Sequence, residues 1–441
     1  MPGAALLMEM GTGKTLTSIA VAGRGYLNKK IQKLLVVCPS SVMSVWRNEI
    51  QEFADYEFTA TVLEGTMNKR KEKLKELALG KGLRVAIINY EAAWRMIEEL
   101  KNWKPDMIIA DESQRIKNPT ASQSKGMHKL GDIAKYKMIL SGTPVQNSPL
   151  DVYSQYRFLD KSIFGTSYYA FRTRYVRMGG YQGYQVVGYI NQDELIQKAH
   201  SIAYRVTKAE ALDLPEQICT MRYCNLEPSA RKVYDGIMKQ NYMELESGEI
   251  TTTNVLTRLL RMSQITGGFV NNDDGNTQFI STAKLNALEE IVDDVVVDNG
   301  KKLVVFARFI KEIDAIKQLL EKKNIKYSWI AGEVKMENRG QMVKEFQEND
   351  DVKVFVAQIQ TAGLGITLTA ADTSVFYSLD FNYANYSQAL ARLHRIGQKS
   401  NVNHIHLIAK DTIDEKIMSA LERKEDIAKG VVDNWRKYFT K

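Results

Sequence analysis

Leu6-Leu7-Met8-Glu9-Met10-Gly11-Thr12-Gly13-Lys14-Thr15-Leu16 is the stretch on which the fold turns. It begins apolar, passes through a glycine-rich turn and leads into a helical segment, Leu16 to Ala22. A turn of this kind at a helix N-terminus points backbone N–H groups and the positive end of the helix dipole at a phosphate. Glycine lets the backbone come close to that phosphate. Lys14 would reach the β- and γ-phosphates of a nucleotide, and the Thr15 hydroxyl would hold Mg²⁺. The expected binding set is therefore Gly11, Thr12, Gly13, Lys14 and Thr15, with ATP and Mg²⁺ as the cofactors. The strict pattern has glycine where this chain has Met8.

Outward from that loop, short apolar runs alternate with helix-length segments. Leu34–Cys38, Val85–Ile88, Met107–Ala110 and Met138–Leu140 are apolar at successive positions, as strands covered on both faces are. Val42–Phe53 and Lys69–Leu79 read as helices between them. The alternation predicts an α/β fold with a doubly wound parallel sheet. It returns near the C-terminus. Leu303–Phe306, Tyr327–Ile330, Val352–Ala357, Ser374–Tyr377 and Ile405–Ile408 read as strands, Phe309–Lys322 and Asn385–His394 as helices. The middle lacks the alternation. It carries helical stretches, Ser229–Leu245 and Thr252–Ile265, and loop signals at Gly267-Gly268 and 271–276. The expected organisation is a first lobe over 1–160, a helical and basic insertion with linker over 161–281, a second lobe over 282–425 and a helical tail over 426–441.

Asp111 and Glu112 directly follow the strand Met107–Ala110. Carboxylates at the C-terminal end of a parallel strand face the crevice where ligands bind in such sheets. Asp111 suits Mg²⁺ held through its water shell, and Glu112 suits polarising an attacking water. An Asp-Glu pair at a strand end is more often merely solvated; the upstream phosphate loop is what gives this one a role.

Composition bounds the rest. The chain has 441 residues, 44% hydrophobic and 25% charged, which excludes a disordered chain, a collagen-like fibre and a disulfide miniprotein. Three cysteines cannot build a disulfide framework and read as thiols in a reducing cytosol. No apolar run approaches the length of a membrane span, and the N-terminus does not read as a signal peptide. The expected place is the cytoplasm, with no membrane partner. The net charge of +8 is weak evidence for a polyanionic partner, so its distribution matters more. Lys161–Glu210 holds seven basic residues, three acids and seven tyrosines. Such a segment is either a nucleic-acid track or an amphipathic insertion whose tyrosines pack inward.

Taken together, these stretches resemble the Swi/Snf-type ATPases of helicase superfamily two, in a compact bacterial or phage-like form. Met10–Thr15 looks like motif I, and Val37-Cys38-Pro39-Ser40 with Trp46 looks like motif Ia. Asp111-Glu112-Ser113-Gln114 with Arg115-Ile116-Lys117-Asn118 looks like motif II, and Ser141–Asn147 like motif III. Thr361–Leu368 resembles motif V and Gln388–Gln398 motif VI. The resemblance implies two RecA-like lobes with ATP in the cleft between them, and it adds Gly365 and Gln388 to the nucleotide set. Arg392 and Arg395 would reach the γ-phosphate from the second lobe, joining Lys14, Asp111, Glu112 and Gln114 as catalytic residues. An arginine there is worth about 10³–10⁵ in rate. Gln114 stands where relatives often carry His. The adenine-contacting segment that relatives place before motif I has no counterpart in the residues before Gly11.

The resemblance also implies a nucleic-acid track of Ser40, Ser41, Asn89, Tyr90, Arg339 and Thr361. The function expected is an ATP-dependent DNA translocase, acting as a monomer on duplex DNA or on a single strand, with phage or host replication proteins as partners. The rival readings are a strand-separating DNA or RNA helicase and an inactive nucleic-acid-binding scaffold.

Overall fold

The computed structural model describes residues 2–180, 185–247, 252–271, 277–334 and 336–432. The chain divides into two compact units, Met1–Asp213 with the stretch from Lys424 onward, and Leu214–Arg423.

The first unit is built on β1 (Gly3–Met8), β2 (Lys33–Cys38), β3 (Phe58–Val62), β4 (Leu83–Asn89), β5 (Met107–Asp111) and β6 (Tyr136–Leu140). A hairpin of β7 (Val176–Gly179) and β8 (Gln185–Tyr189) stands apart from the sheet, and β9 (Ala203–Val206) joins its edge. The sheet order is β3-β4-β2-β5-β6-β1-β9, and every pairing in it is parallel. Along β2 five successive residues, Leu34 to Cys38, are at most 2% exposed, so both faces of the sheet are covered. Ile19, Trp46 and Ile50 come from helices Lys14–Leu27 and Met43–Phe53 to pack on one of them.

The second unit holds β10 (Gln217–Cys224), a small hairpin of β11 (Phe269–Asn271) and β12 (Thr277–Phe279), then β13 (Leu303–Ala307), β14 (Tyr327–Ile330), β15 (Val354–Gln358), β16 (Thr373–Phe376) and β17 (Val402–Ala409). Its sheet runs β10-β17-β16-β13-β15-β14, again parallel throughout. Leu288, Ile316, Leu320, Val305 and Val356 are fully buried in its core. The expected pair of parallel α/β lobes is what the chain forms. No described helix is long and apolar enough to cross a membrane.

The expected boundaries differ from these units. Residues 161–281 do not form one insertion: β9 closes the first sheet and β10 closes the second. Both strands escape a search for apolar runs for physical reasons. β9 is four residues long with a buried arginine in it, and most β10 side chains face outward. Part of the tyrosine-rich segment packs into an aromatic cluster. The Phe171 ring lies 4.9 Å from Tyr153 and from Tyr175, and 5.1 Å from Phe164. Tyr168 stacks on the same cluster, whereas Tyr169 and Tyr204 stand exposed. Tyr181 and Tyr184 lie outside the described residues, as do the loop at 272–276 and the tail beyond Val432.

Candidate functional site

In the first unit β1 runs into the glycine-rich turn, and the helix Lys14–Leu27 starts directly after it. Gly11 (φ 84°) and Gly13 (φ 88°) are left-handed, a conformation that costs other L-residues about 1–2 kcal/mol. A Cβ on Gly13 would meet nothing within 4 Å, so the backbone conformation, and not crowding by the protein, demands glycine there. The helix start carries no side-chain cap hydrogen bond. Thr12 closes the turn by donating its hydroxyl to Glu9 O (2.8 Å), while the Lys14 ammonium bends back onto Met8 O (2.9 Å) and Glu9 O (3.0 Å). Thr15 is half-buried at the first turn.

A brace unforeseen in the sequence holds this loop. Buried Arg205 of β9 donates to Leu7 O (3.0 Å) and to Glu9 Oε1 (3.0 Å), and Lys208 N donates to Glu9 Oε2 (2.9 Å). Arg205 is one of the seven basic residues of Lys161–Glu210, and its charge is paired inside the fold.

Asp111 ends β5, and Glu112 follows it in the left-handed region (φ 50°, ψ 53°), which no glycine relieves. Several donors hold this turn. Trp46 Nε1 donates to Asp111 Oδ2 (2.8 Å), Glu112 N to Asp111 Oδ1 (2.9 Å), and the Tyr90 hydroxyl to Asp111 O (2.7 Å). Gln114 donates its amide to Glu112 Oε2 and accepts from Ser141 Oγ (2.8 Å), which itself accepts from Thr143 N (3.1 Å). Ser113 joins the same two segments through Gln155, whose amide donates to Pro144 O and Asp151 O (both 2.8 Å). Glutamine at 114 thus links the stretch after β5 to the stretch after β6 with one donor and one acceptor.

Burial first, and the Glu112 carboxylate second, push Asp111 well above the usual carboxylate range, with the Trp46 N–H and the Lys14 ammonium opposing. The same burial, with Asp111 nearby, raises the Cys38 thiol. Asp111 thus lies near both the Glu112 carboxylate and the Lys14 ammonium, beside a helix start with no side-chain cap, and oxygen donors of this kind fit a hard divalent cation carried by a phosphate chain. Thr15 and Asp111 would hold Mg²⁺ here.

The second unit carries the remaining expected residues. Helix Tyr383–Leu390 leads to Arg392 and Arg395, and both guanidinium groups donate to one acceptor, Ile366 O, at 3.3 and 3.2 Å. Leu368 N donates back to Arg392 O (3.0 Å), so the arginine turn and the loop after β15 are one piece. Gly365 in that loop is left-handed (φ 74°), and Gln388 is buried.

The expected nucleic-acid residues divide. Ser40 is exposed and Ser41 half-buried, in a single turn between β2 and the helix Met43–Phe53. The other four are engaged by the protein. Asn89 caps a helix by accepting from Ala92 N (2.7 Å), and Tyr90 is 1% exposed with its hydroxyl on Asp111. Arg339 donates to Val334 O, Ala331 O and Gly332 O, and buried Thr361 donates to Gln358 O (2.6 Å). The reason is local: a residue just past a strand end caps the next element as readily as it meets a ligand. For Tyr90 this corrects the expectation outright, since its side chain has almost no surface to offer a strand of DNA.

The SNF2-related domain family matches residues 1–273, and the helicase conserved C-terminal domain matches residues 283–397. An uncharacterized ATP-dependent helicase of Mycoplasma genitalium is 27% identical over 430 residues, covering 97% of this chain and 40% of its own. The DNA annealing helicase and endonuclease ZRANB3 of Mus musculus is 29% identical over 443 residues, covering 97% and 39%. The chain spans about two fifths of the length of such curated relatives. Among solved structures, the Sulfolobus solfataricus SWI2/SNF2 ATPase core in complex with dsDNA is 28% identical with a TM-score of 0.44, covering 99% of this chain and 92% of that one. With the family match spanning well over half its length, this chain belongs to the SNF2-related family of helicase superfamily two.

Proposed function

We propose that the chain is an ATP-driven DNA translocase. The observation that carries this reading is a glycine-rich loop opening a helix with no side-chain cap, with Asp111 close enough to Lys14 to feel its charge and Glu112 next to Asp111. Lys14 leaves the carbonyls of Met8 and Glu9 for the nucleotide's terminal phosphates. Glu112, its other oxygen fixed by Gln114, accepts a proton from water as the water oxygen bonds to the γ-phosphorus. The bond from that phosphorus to the β,γ-bridging oxygen breaks, giving ADP and phosphate, and the proton passes to solvent. Mg²⁺ supplies charge neutralisation on the phosphate chain. Arg392 and Arg395 supply positive charge for the transferred group, worth about 10³–10⁵ in rate.

DNA as the track is supported by relatives whose names carry it, the DNA annealing helicase ZRANB3 and the chromodomain-helicase-DNA-binding protein 1-like of Danio rerio. A motor that grips phosphates binds without sequence preference and weakens steeply with salt. Mycoplasma relatives suit a bacterial cytoplasm, and the reading takes the motor as a monomer with replication proteins of a host or phage as partners.

The deciding experiment measures ATP hydrolysis with no nucleic acid, single-stranded DNA, duplex DNA and RNA in parallel, beside a strand-displacement assay. Duplex-stimulated hydrolysis without displacement is the expected result; robust displacement would favour a helicase, and no stimulation a scaffold. Lys14→Ala and Glu112→Gln should each abolish turnover while duplex binding persists in a gel-shift assay.

A further inference from the structure

We propose that Trp46 and Tyr90 are positioning residues for hydrolysis, Trp46 aiming the Asp111 carboxylate at the nucleotide-borne cation and Tyr90 fixing the peptide that sets where Glu112 points. The inference rests on the nucleotide reading above and adds two residues to it. Trp46 sits mid-helix in Met43–Phe53, is 1% exposed, and brings its ring from the core to the end of β5. A buried indole N–H needs an acceptor. This one takes Asp111 Oδ2, while Glu112 N takes Oδ1. With one donor on each oxygen the carboxylate cannot rotate, and its remaining lone pairs keep one direction.

Tyr90 acts on the other half of the turn. It is the first residue of the helix Tyr90–Arg95, is 1% exposed, and donates its hydroxyl to the Asp111 carbonyl at 2.7 Å. That carbonyl belongs to the peptide entering Glu112, whose left-handed conformation persists only while its surroundings hold it. Tyr90 anchors the backbone, and Gln114 anchors the side chain. The two aromatic residues therefore reach neighbouring groups with different duties, which makes their effects separable.

The test uses the full chain with Trp46→Phe and Tyr90→Phe. Calorimetry measures ADP binding with Mg²⁺ and with EDTA, and hydrolysis is followed against Mg²⁺ concentration. Trp46→Phe should weaken Mg²⁺-dependent ADP binding by about tenfold, the size typical of groups that orient metal ligands, and leave binding in EDTA unchanged. Its half-saturating Mg²⁺ should rise by a similar factor, with kcat at saturating Mg²⁺ within roughly threefold of wild type. Tyr90→Phe should leave Mg²⁺-ADP affinity intact and lower kcat by about tenfold, as a displaced catalytic group does. In the unmodified protein the Trp46 indole ¹⁵N–H resonance, identified by its loss in Trp46→Phe, should move with Mg²⁺-ADP and not with ADP in EDTA.

An indole signal that ignores Mg²⁺-ADP would overturn the proposal. So would variants that lower affinity with and without Mg²⁺ alike, in step with their melting temperatures, because core packing alone does that. Variants indistinguishable from wild type would overturn it too. A wild-type chain that binds no ADP would instead sink the nucleotide reading, and this inference with it.

Discussion

Glu312 is a buried carboxyl with no part in the proposed chemistry. It is 1% exposed, and its Oε2 accepts from Arg308 N (3.1 Å), Phe309 N (3.0 Å) and Ser378 Oγ, joining the segment after β13 to the segment after β16. Its Oε1 is buried without a hydrogen-bond partner. Burial outweighs the donors and Lys284 and pushes the group up to about 7 from an ordinary 4.5. The folded chain then keeps a proton that the unfolded chain releases, so this group's contribution to stability falls as pH rises from about 4.5 to about 7. Urea midpoints at pH 5 and pH 8 should show it: Glu312→Gln should flatten the decline, and an unchanged slope would remove Glu312 as its cause. His406 works in the opposite sense. Burial against Phe376 lowers it to about 4, so its contribution is lost as pH falls from about 6.5 towards 4. At this scale the sequence made the charged residues legible and the holders illegible. Lys14, Asp111 and Glu112 stand out by spacing alone. Trp46 enters only through the motif Ia resemblance and Tyr90 only as an expected nucleic-acid contact, and neither points to Asp111, because a tryptophan on a core-facing helix stripe with Met43 and Ile50 needs no function to explain it. Only coordinates tell which carbonyl or carboxylate an indole or phenol reaches.

Elements followed the apolar pattern wherever burial on both faces made it strong. β5 was expected at Met107–Ala110 and spans Met107–Asp111, and the Tyr327–Ile330 strand agrees end to end. β3 went unseen because all five of its residues are only half-buried, at the sheet edge. β10 hid for a related reason: Ile218, Met221 and Tyr223 are exposed, so its side chains carry no alternation. The glycine turn is the element whose sequence and geometry agree most directly, and it yields a separable prediction. Gly13→Ala puts a methyl at φ 88°, where nothing of the protein obstructs it. The strain should cost about 1–2 kcal/mol, a fall of a few degrees in melting temperature. Nucleotide affinity should fall far more, because the methyl enters the space a phosphate would take. Calorimetry with ADP and thermal melting read the two effects separately, and a loss of stability without a loss of affinity would place the nucleotide elsewhere.

For the whole molecule, two parallel sheets were legible and the dividing line between them was not. The chain changes unit at Asp213, between β9 and β10, inside a stretch that reads as one helical insertion. Its break in alternation suggests a boundary at 160, whereas the boundary lies in the short link between two edge strands. The proposed division of labour gives Arg395, a residue of the second unit, the part of supplying charge in hydrolysis. Arg395→Ala should therefore lower ATP hydrolysis by about 10³-fold or more while ADP affinity changes little. An arginine variant that hydrolyses ATP normally would refute that division of labour. The placing of β9 has a consequence for how the protein is made. β9 is residues 203–206, yet it lies against β1 in register Ala5 to Ala203 and Met8 to Val206. A nascent chain leaves the ribosome N-terminus first, so β1 emerges well before β9 and waits through most of the first unit's synthesis for that neighbour. Arg205 within β9 and Lys208 just after it, which fasten Glu9, arrive with that strand. A ribosome stalled before codon 203 would hold a nascent chain whose nucleotide loop is already out and still lacks the Arg205 brace.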